Sequence, residues 1–159
     1  MQDSGSAQTQ SSSSREDARR TGGQDLRTNS RRSTRSNAPW DNPRSKLSKR
    51  IIYFQIDSVK VTPDYQDLIA AHADYLADHP QVQITLQGHT DERGAREYNI
   101  ALGEQRSQAI AKMMQLQGVL DNQIVVVSYG EEKPASFGHD EQAWSRNRRV
   151  EIQYPEYQQ

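Results

Sequence analysis

The stretch 88–106, GHTDERGAREYNIALGEQR, gathers side chains that can do chemistry. His89, Asp91 and Glu92 sit together, and Arg106 closes the run. Three chemistries use such residues. Hydrolysis needs a nucleophile with an oriented base, and neither Ser107 nor Ser128 has an evident base in the sequence. A zinc site needs three or four N, S or O ligands with supporting partners. Here the candidates follow one another directly and point in different directions, and His72, His79 and His139 lie scattered along the chain. Catalytic and metal readings are therefore the weaker ones, and His89 reads better as a residue that fixes its loop by hydrogen bonding.

The third chemistry is a non-covalent clamp. Asn99, Leu102 and Arg106 are spaced i, i+3 and i+7, so a helix would carry them on one face, close to the turn that holds Asp91. A carboxylate and a guanidinium at one pocket can receive the ammonium and the carboxylate of a free amino-acid head group. The plain alternative is that Asp91 and Arg106 pair with each other. Spacing leaves both readings open.

Several elements must position these residues. The β-branched and aromatic run 51–56 predicts a strand. Thr62 as N-cap and Pro63 at the first helical position open a helix, whose apolar face is Tyr65, Leu68, Ile69, His72, Tyr75 and Leu76; His79 and Pro80 end it. Alternation over 82–88 predicts a half-buried strand. A second helix is expected over 96–117, with Gly118 as its stop, then a third strand over 124–130, more buried than the second. A loop with a helical turn near Trp144 leads to a fourth strand over 148–154, with Val150, Ile152 and Tyr154 on one face. Two parallel crossovers put both helices on one face of the sheet. In NRRVE, Arg149 reads as packing at the start of that strand, Trp144 as a packing aromatic, and the role of Arg148 stays open.

Composition divides the 159 residues. Before Trp40 the only larger apolar side chains are Met1 and Leu26, so residues 1–48 are expected to form a disordered Ser/Arg-rich linker and residues 49–159 the folded domain. Residues 1–50 carry 11 Lys+Arg and 5 Asp+Glu, a net +6, against a net −7 for the rest. No aromatic is interleaved among the arginines before Trp40, so the segment reads as a spacer and not as a nucleic-acid binder. As a coil of about 50 residues it would span roughly 40 Å. The chain has no Cys, which excludes disulfides, thiolate metal sites and thiol nucleophiles. No apolar run approaches the ~18 residues of a membrane span, and the chain is expected to be soluble as it stands.

Four blocks in order, GHTDERG, YNIALGEQR, VSYGEEKP and GHDEQAWSRNRRVE, resemble the OmpA-like peptidoglycan-binding domain over roughly residues 51–154. The ERG after GHTD and the SYGEEKP block are most similar to its peptidoglycan-associated lipoprotein (Pal) branch. The resemblance implies an α/β two-layer sandwich, with helices on one face of a four-stranded mixed sheet, here preceded by the tail. It implies binding, without catalysis, metal or cofactor, of the diaminopimelate of the peptidoglycan stem peptide. Asp91 would take the ammonium and Arg106 the carboxylate, with Asn99, Leu102, Arg93, Ile56 and Asp57 as further contacts. Ile56 departs from the family's usual aromatic. The implied partners are peptidoglycan, a TolB-like periplasmic protein whose surface overlaps the wall site, and the outer membrane. The membrane would be reached through a lipid anchor that this chain lacks, placing the full-length form on the periplasmic face of the outer membrane in a Tol-Pal system. Stator- or porin-type relatives of the same family, and a metal-dependent hydrolase, are the alternatives.

Overall fold

The computed structural model of the protein describes residues 38–155. Four strands, β1 (Ile51–Tyr53), β2 (Ile84–His89), β3 (Ile124–Gly130) and β4 (Arg149–Gln153), form one sheet in the order β1-β4-β2-β3. β4 runs antiparallel to both β1 and β2, and β2 runs parallel to β3, so the sheet is mixed. Helix α1 (Gln66–Asp78) crosses from β1 to β2 and α2 (Arg96–Leu116) from β2 to β3, while the short α3 (Glu141–Asn147) precedes β4.

Alternation sets which face of the sheet is covered. Ile52, Ile84, Leu86, Val150 and Ile152 point to one side and are at most 1% exposed. Ile69, Ala73 and Leu76 of α1 and Ile110, Ala111 and Met114 of α2 complete this core. Each fully buried large aliphatic contributes roughly 1.5–3 kcal/mol. Gly88 and Gly103 let α2 lie directly on β2: a Cβ on Gly88 would collide with the Gly103 carbonyl, and one on Gly103 with the Ser128 hydroxyl. This close approach brings the first half of α2 against the end of β2. Gly118 ends α2 in the left-handed conformation, φ 104°, which a side chain would disfavour.

Four expectations are corrected. Residues 38–48 are part of the folded domain, which the expected boundary near Lys49 left out. Two 3-10 turns, Pro39–Asp41 and Lys46–Ser48, fold back on the domain, with Trp40 5% exposed and stacked on Tyr154 at 4.4 Å between ring centroids. One aromatic with a partner from β4's extension therefore offsets the ordering of a polar segment. The linker reading for residues 1–37 lies outside the described residues. β1 stops at Tyr53, because β4 begins opposite it at Arg149; after the Phe54 amide bonds the Arg148 carbonyl, the chain peels away. β3 is not the more buried strand: it pairs only with β2 and forms an edge, with Val125 39% exposed. Thr62 makes no side-chain cap; a 3-10 turn, Pro63–Tyr65, leads into α1 instead.

His72 is fully buried on α1, bonded to the Tyr154 hydroxyl at 2.6 Å and to the Lys49 carbonyl at 2.8 Å. It fastens the N-terminal segment to the domain. Gln123, just before β3, ties the entry of that strand to the end of α1 and the loop before β2, its amide donating to the carbonyls of Leu76, His79 and Val82.

Candidate functional site

Four pieces of chain meet beyond the carboxyl end of β2. They are the turn after β2 with Asp91, the first half of α2, the segment 54–58 after β1, and the junction of α3 with β4. The carboxyl ends of strands are where ligand sites collect in such sheets.

Asp91 is 6% exposed. Its carboxylate accepts from Arg93 three times, at the backbone N–H (3.0 Å), Nε (3.3 Å) and Nη2 (2.7 Å). Arg148 Nη1 approaches the same carboxylate at 3.4 Å. Burial alone would raise the Asp91 carboxyl, but the hydrogen bonds and charge of Arg93, joined by Arg148, hold it below its usual value. Arg93 lies over the Trp144 ring at 4.1 Å, so Trp144 packs against a cation as well as its loop.

Arg106 is fully buried and does not pair with Asp91. Its Nε donates to the Ser58 carbonyl at 2.9 Å, Nη1 to the His89 carbonyl at 3.0 Å and Nη2 to the Gln55 carbonyl at 3.1 Å. The guanidinium therefore bridges the segment 55–58 to the end of β2. Burial pushes it down to about 10, with repulsion from Arg148 adding and Asp91 and Asp57 opposing. It remains a cation at neutral pH. Of the two readings left open by spacing, the direct Asp91–Arg106 salt bridge is absent, and both charges sit in one site on separate supports.

The remaining residues take several stations. Asn99, 1% exposed, donates to the Arg93 carbonyl (3.1 Å) and to Glu131 (2.9 Å), and ties the turn to α2. Leu102 is buried one turn before Arg106. Asp57 has φ 51°, in the left-handed region, and lies 3.4 Å from the Tyr98 hydroxyl. Ile56 is 53% exposed, an apolar side chain presented to solvent beside the charges. The face shared by Asn99, Leu102 and Arg106 is buried against the site, as their spacing predicts.

Arg148, left open by the sequence, belongs to this site. Its Nε donates to the Phe54 carbonyl at 3.0 Å and Nη2 to Glu141 at 2.6 Å, besides Nη1 on Asp91. Glu141 stands out by no motif or spacing in the sequence; its bond to Arg148 lowers its own carboxyl. Arg149 is structural, as expected: it pairs with Glu151 at 2.7 Å and donates to the carbonyls of Asn147 and Lys133. His89 is corrected. Its ring makes no hydrogen bond among the described residues and stacks near Tyr129; only its carbonyl serves Arg106. Glu92 instead accepts from His139 at 2.7 Å. Among the described residues no group of three or more His, Cys, Asp or Glu could hold a metal ion, and no helix is long and apolar enough to cross a membrane.

Comparison with known proteins follows the same outline. The OmpA family model matches residues 53–148. Peptidoglycan-associated lipoproteins of Legionella pneumophila and Pseudomonas aeruginosa are 46% and 49% identical, over 66% and 63% of this chain. The matched region spans 60% and 59% of those two relatives' own length. The crystal structure of the peptidoglycan-associated lipoprotein from Burkholderia pseudomallei is 48% identical, covers 74% of this chain and 100% of its own, and superposes with a TM-score of 0.73. The C-terminal domain of Helicobacter pylori MotB is 25% identical, over 67% of this chain and 84% of its own, at a TM-score of 0.61.

Proposed function

The chain belongs to the OmpA family, and from that premise we propose that it binds diaminopimelate-type peptidoglycan without covalent chemistry. One observation carries the reading. Asp91 and Arg106 are opposite charges, both buried, in one site and not neutralising each other directly. A zwitterionic head group presents the matching pair: its ammonium to Asp91, its carboxylate to Arg106. Diaminopimelate carries such a free head group at the far end of its side chain, where lysine carries only an amine.

Each half of this binding asks for a local change. Arg93 must yield part of the Asp91 carboxylate to the incoming ammonium. Arg106 is fully covered, so segment 55–58 must move aside for a carboxylate to reach it. Two guanidinium N–H groups have no bond to the three carbonyls and would take the carboxylate. Asn99 and Leu102 hold the floor, and Ile56 and Asp57 ride on the segment that moves.

In the cell the reading is a non-enzymatic tether. The domain grips the wall, and a lipid anchor holds the outer membrane as part of a Tol-Pal system. A TolB-like periplasmic protein would compete for the same surface. The names of the relatives, peptidoglycan-associated lipoproteins, support this assignment over a stator or porin role.

The test is co-sedimentation with purified sacculi of the diaminopimelate and lysine types. Wild type is expected to pellet with the first only, and Asp91→Ala with neither. Equal pelleting with both walls, or an Asp91→Ala variant that binds like wild type, would end the clamp reading.

A further inference from the structure

The chain from Tyr53 to Gln55 borders two sites. At one, the Gln55 carbonyl receives Arg106 and the Phe54 carbonyl receives Arg148, so this backbone is a wall of the clamp. The second is a neighbouring cavity of about 520 Å³ between the end of β1, the turn before α1 and the end of α3, which Arg148 also lines. That volume lies within the range of small-molecule sites, roughly 300–1,000 Å³.

The chemistry of the lining is specific. Tyr53 and Tyr65 contribute aromatic surface; Gln55, Asp64 and Ser145 contribute planar or hydroxylic hydrogen-bonding groups. Two arginines also reach it, but they are not equivalent. Arg148 has all three guanidinium nitrogens committed, to Phe54, Asp91 and Glu141. Arg146 is the remaining cation of the lining, and Asp64 in the same lining offsets its charge. The cavity is therefore close to neutral, rich in donors and acceptors, and bounded by aromatics. An anion would find little net attraction in it. A pyranose ring fits better: its C–H faces pack on aromatic rings while its hydroxyl and amide groups meet planar polar side chains.

We propose that this cavity is a saccharide subsite that receives a hexopyranose of the wall's glycan strand while the clamp holds the peptide. The proposal rests on the wall-binding reading above. It adds a second contact through the shared 53–55 backbone, so sugar and peptide bind as two linked modules of one ligand.

Calorimetric titration with two probes tests it: a diaminopimelate-containing stem peptide, and the same peptide joined to its muramyl sugar. Wild type is expected to bind the sugar-bearing probe about tenfold more tightly. In Asp64→Ala and Arg146→Ala, both at exposed positions of the lining and outside the clamp, that advantage disappears while affinity for the bare peptide is unchanged. Equal affinity of wild type for both probes overturns the subsite and leaves the clamp standing. A loss that is the same for both probes in the two variants also overturns it, since the residues would then act only through the peptide site. If wild type binds neither probe, the wall-binding reading fails and the subsite with it.

Discussion

Arg93 Nη2 lies 2.7 Å from Asp91 Oδ2, so the carboxylate assigned to an incoming ammonium is already held by a cation two residues along the chain. Arg93 is a third exposed, while Asp91 is buried. Arg93 also lies over the Trp144 ring and 3.9 Å from Glu141, so it keeps an aromatic face and a second carboxylate when Asp91 turns to a ligand.

The first prediction follows from that competition. Arg93→Ala should raise affinity for diaminopimelate peptide by roughly three- to tenfold, about 1 kcal/mol, because Asp91 no longer has to be released. Arg148 still neutralises Asp91 in the variant, so folding is preserved. Calorimetry on wild type and variant decides: weaker binding in Arg93→Ala would make Arg93 a direct ligand contact instead.

Arg106 is predicted to be structural and functional at once. Arg106→Met keeps the bulk but leaves the carbonyls of Gln55, Ser58 and His89 without their donor. Unsatisfied buried acceptors cost about 1–3 kcal/mol each, so a loss of about 3 kcal/mol in urea unfolding is expected. Arg106→Lys keeps the charge but cannot reach three carbonyls, and should recover less than half of that stability. A lysine variant as stable as wild type would show that charge, not the fork, holds segment 55–58.

Much of this arrangement was legible in the residues. Asn99, Leu102 and Arg106 declare a shared helix face by spacing, and the structure buries all three. Arg148 could have been placed by parity, since it alternates with Val150 and Ile152, which face the core, whereas Arg149 alternates with Glu151 on the other face. What spacing could not supply was the partner of each charge. Arg106 turns to three carbonyls because the chain leaves the sheet after Phe54, and that departure depends on where β4 begins. The docking of residues 38–48 was hidden for a similar reason. Trp40 is one aromatic in a polar run, and its partner Tyr154 lies over a hundred positions away.

That docking makes the N-terminal segment part of the domain's stability. Trp40→Ala removes the stack on Tyr154 and the edge contact with Tyr75. A loss of about 3 kcal/mol is expected, with wall binding unchanged, because the clasp lies away from Asp91 and Arg106. Thermal unfolding and sacculus pelleting on the same preparation separate the two effects. Unchanged stability would mean that residues 38–48 only rest on the domain.

Acid should weaken the fold in two steps, and His89 sets the upper one. Its ring is 2% exposed and has no hydrogen bond among the described residues. Burial lowers its pKa from 6.5 to about 4, Arg149 and Lys133 push the same way, and Glu151 opposes them. Because the folded value is depressed, the unfolded chain takes up this proton first. Stability therefore falls as pH drops from 6.5 toward 4, and His89 adds no further slope below that. His72 is lowered too, chiefly by burial, and works in the same direction. The carboxylates act later. Asp91 and Glu141 are held below their usual values, so the stability they contribute is lost only as pH falls below the ordinary carboxylate range. His89→Phe discriminates between the steps. It keeps an aromatic ring against Tyr129 and cannot titrate, so denaturation midpoints measured from pH 7 to 4 should decline less steeply, by one proton's linkage. A variant with the wild-type slope would assign the upper step to His72 and its bond to Tyr154.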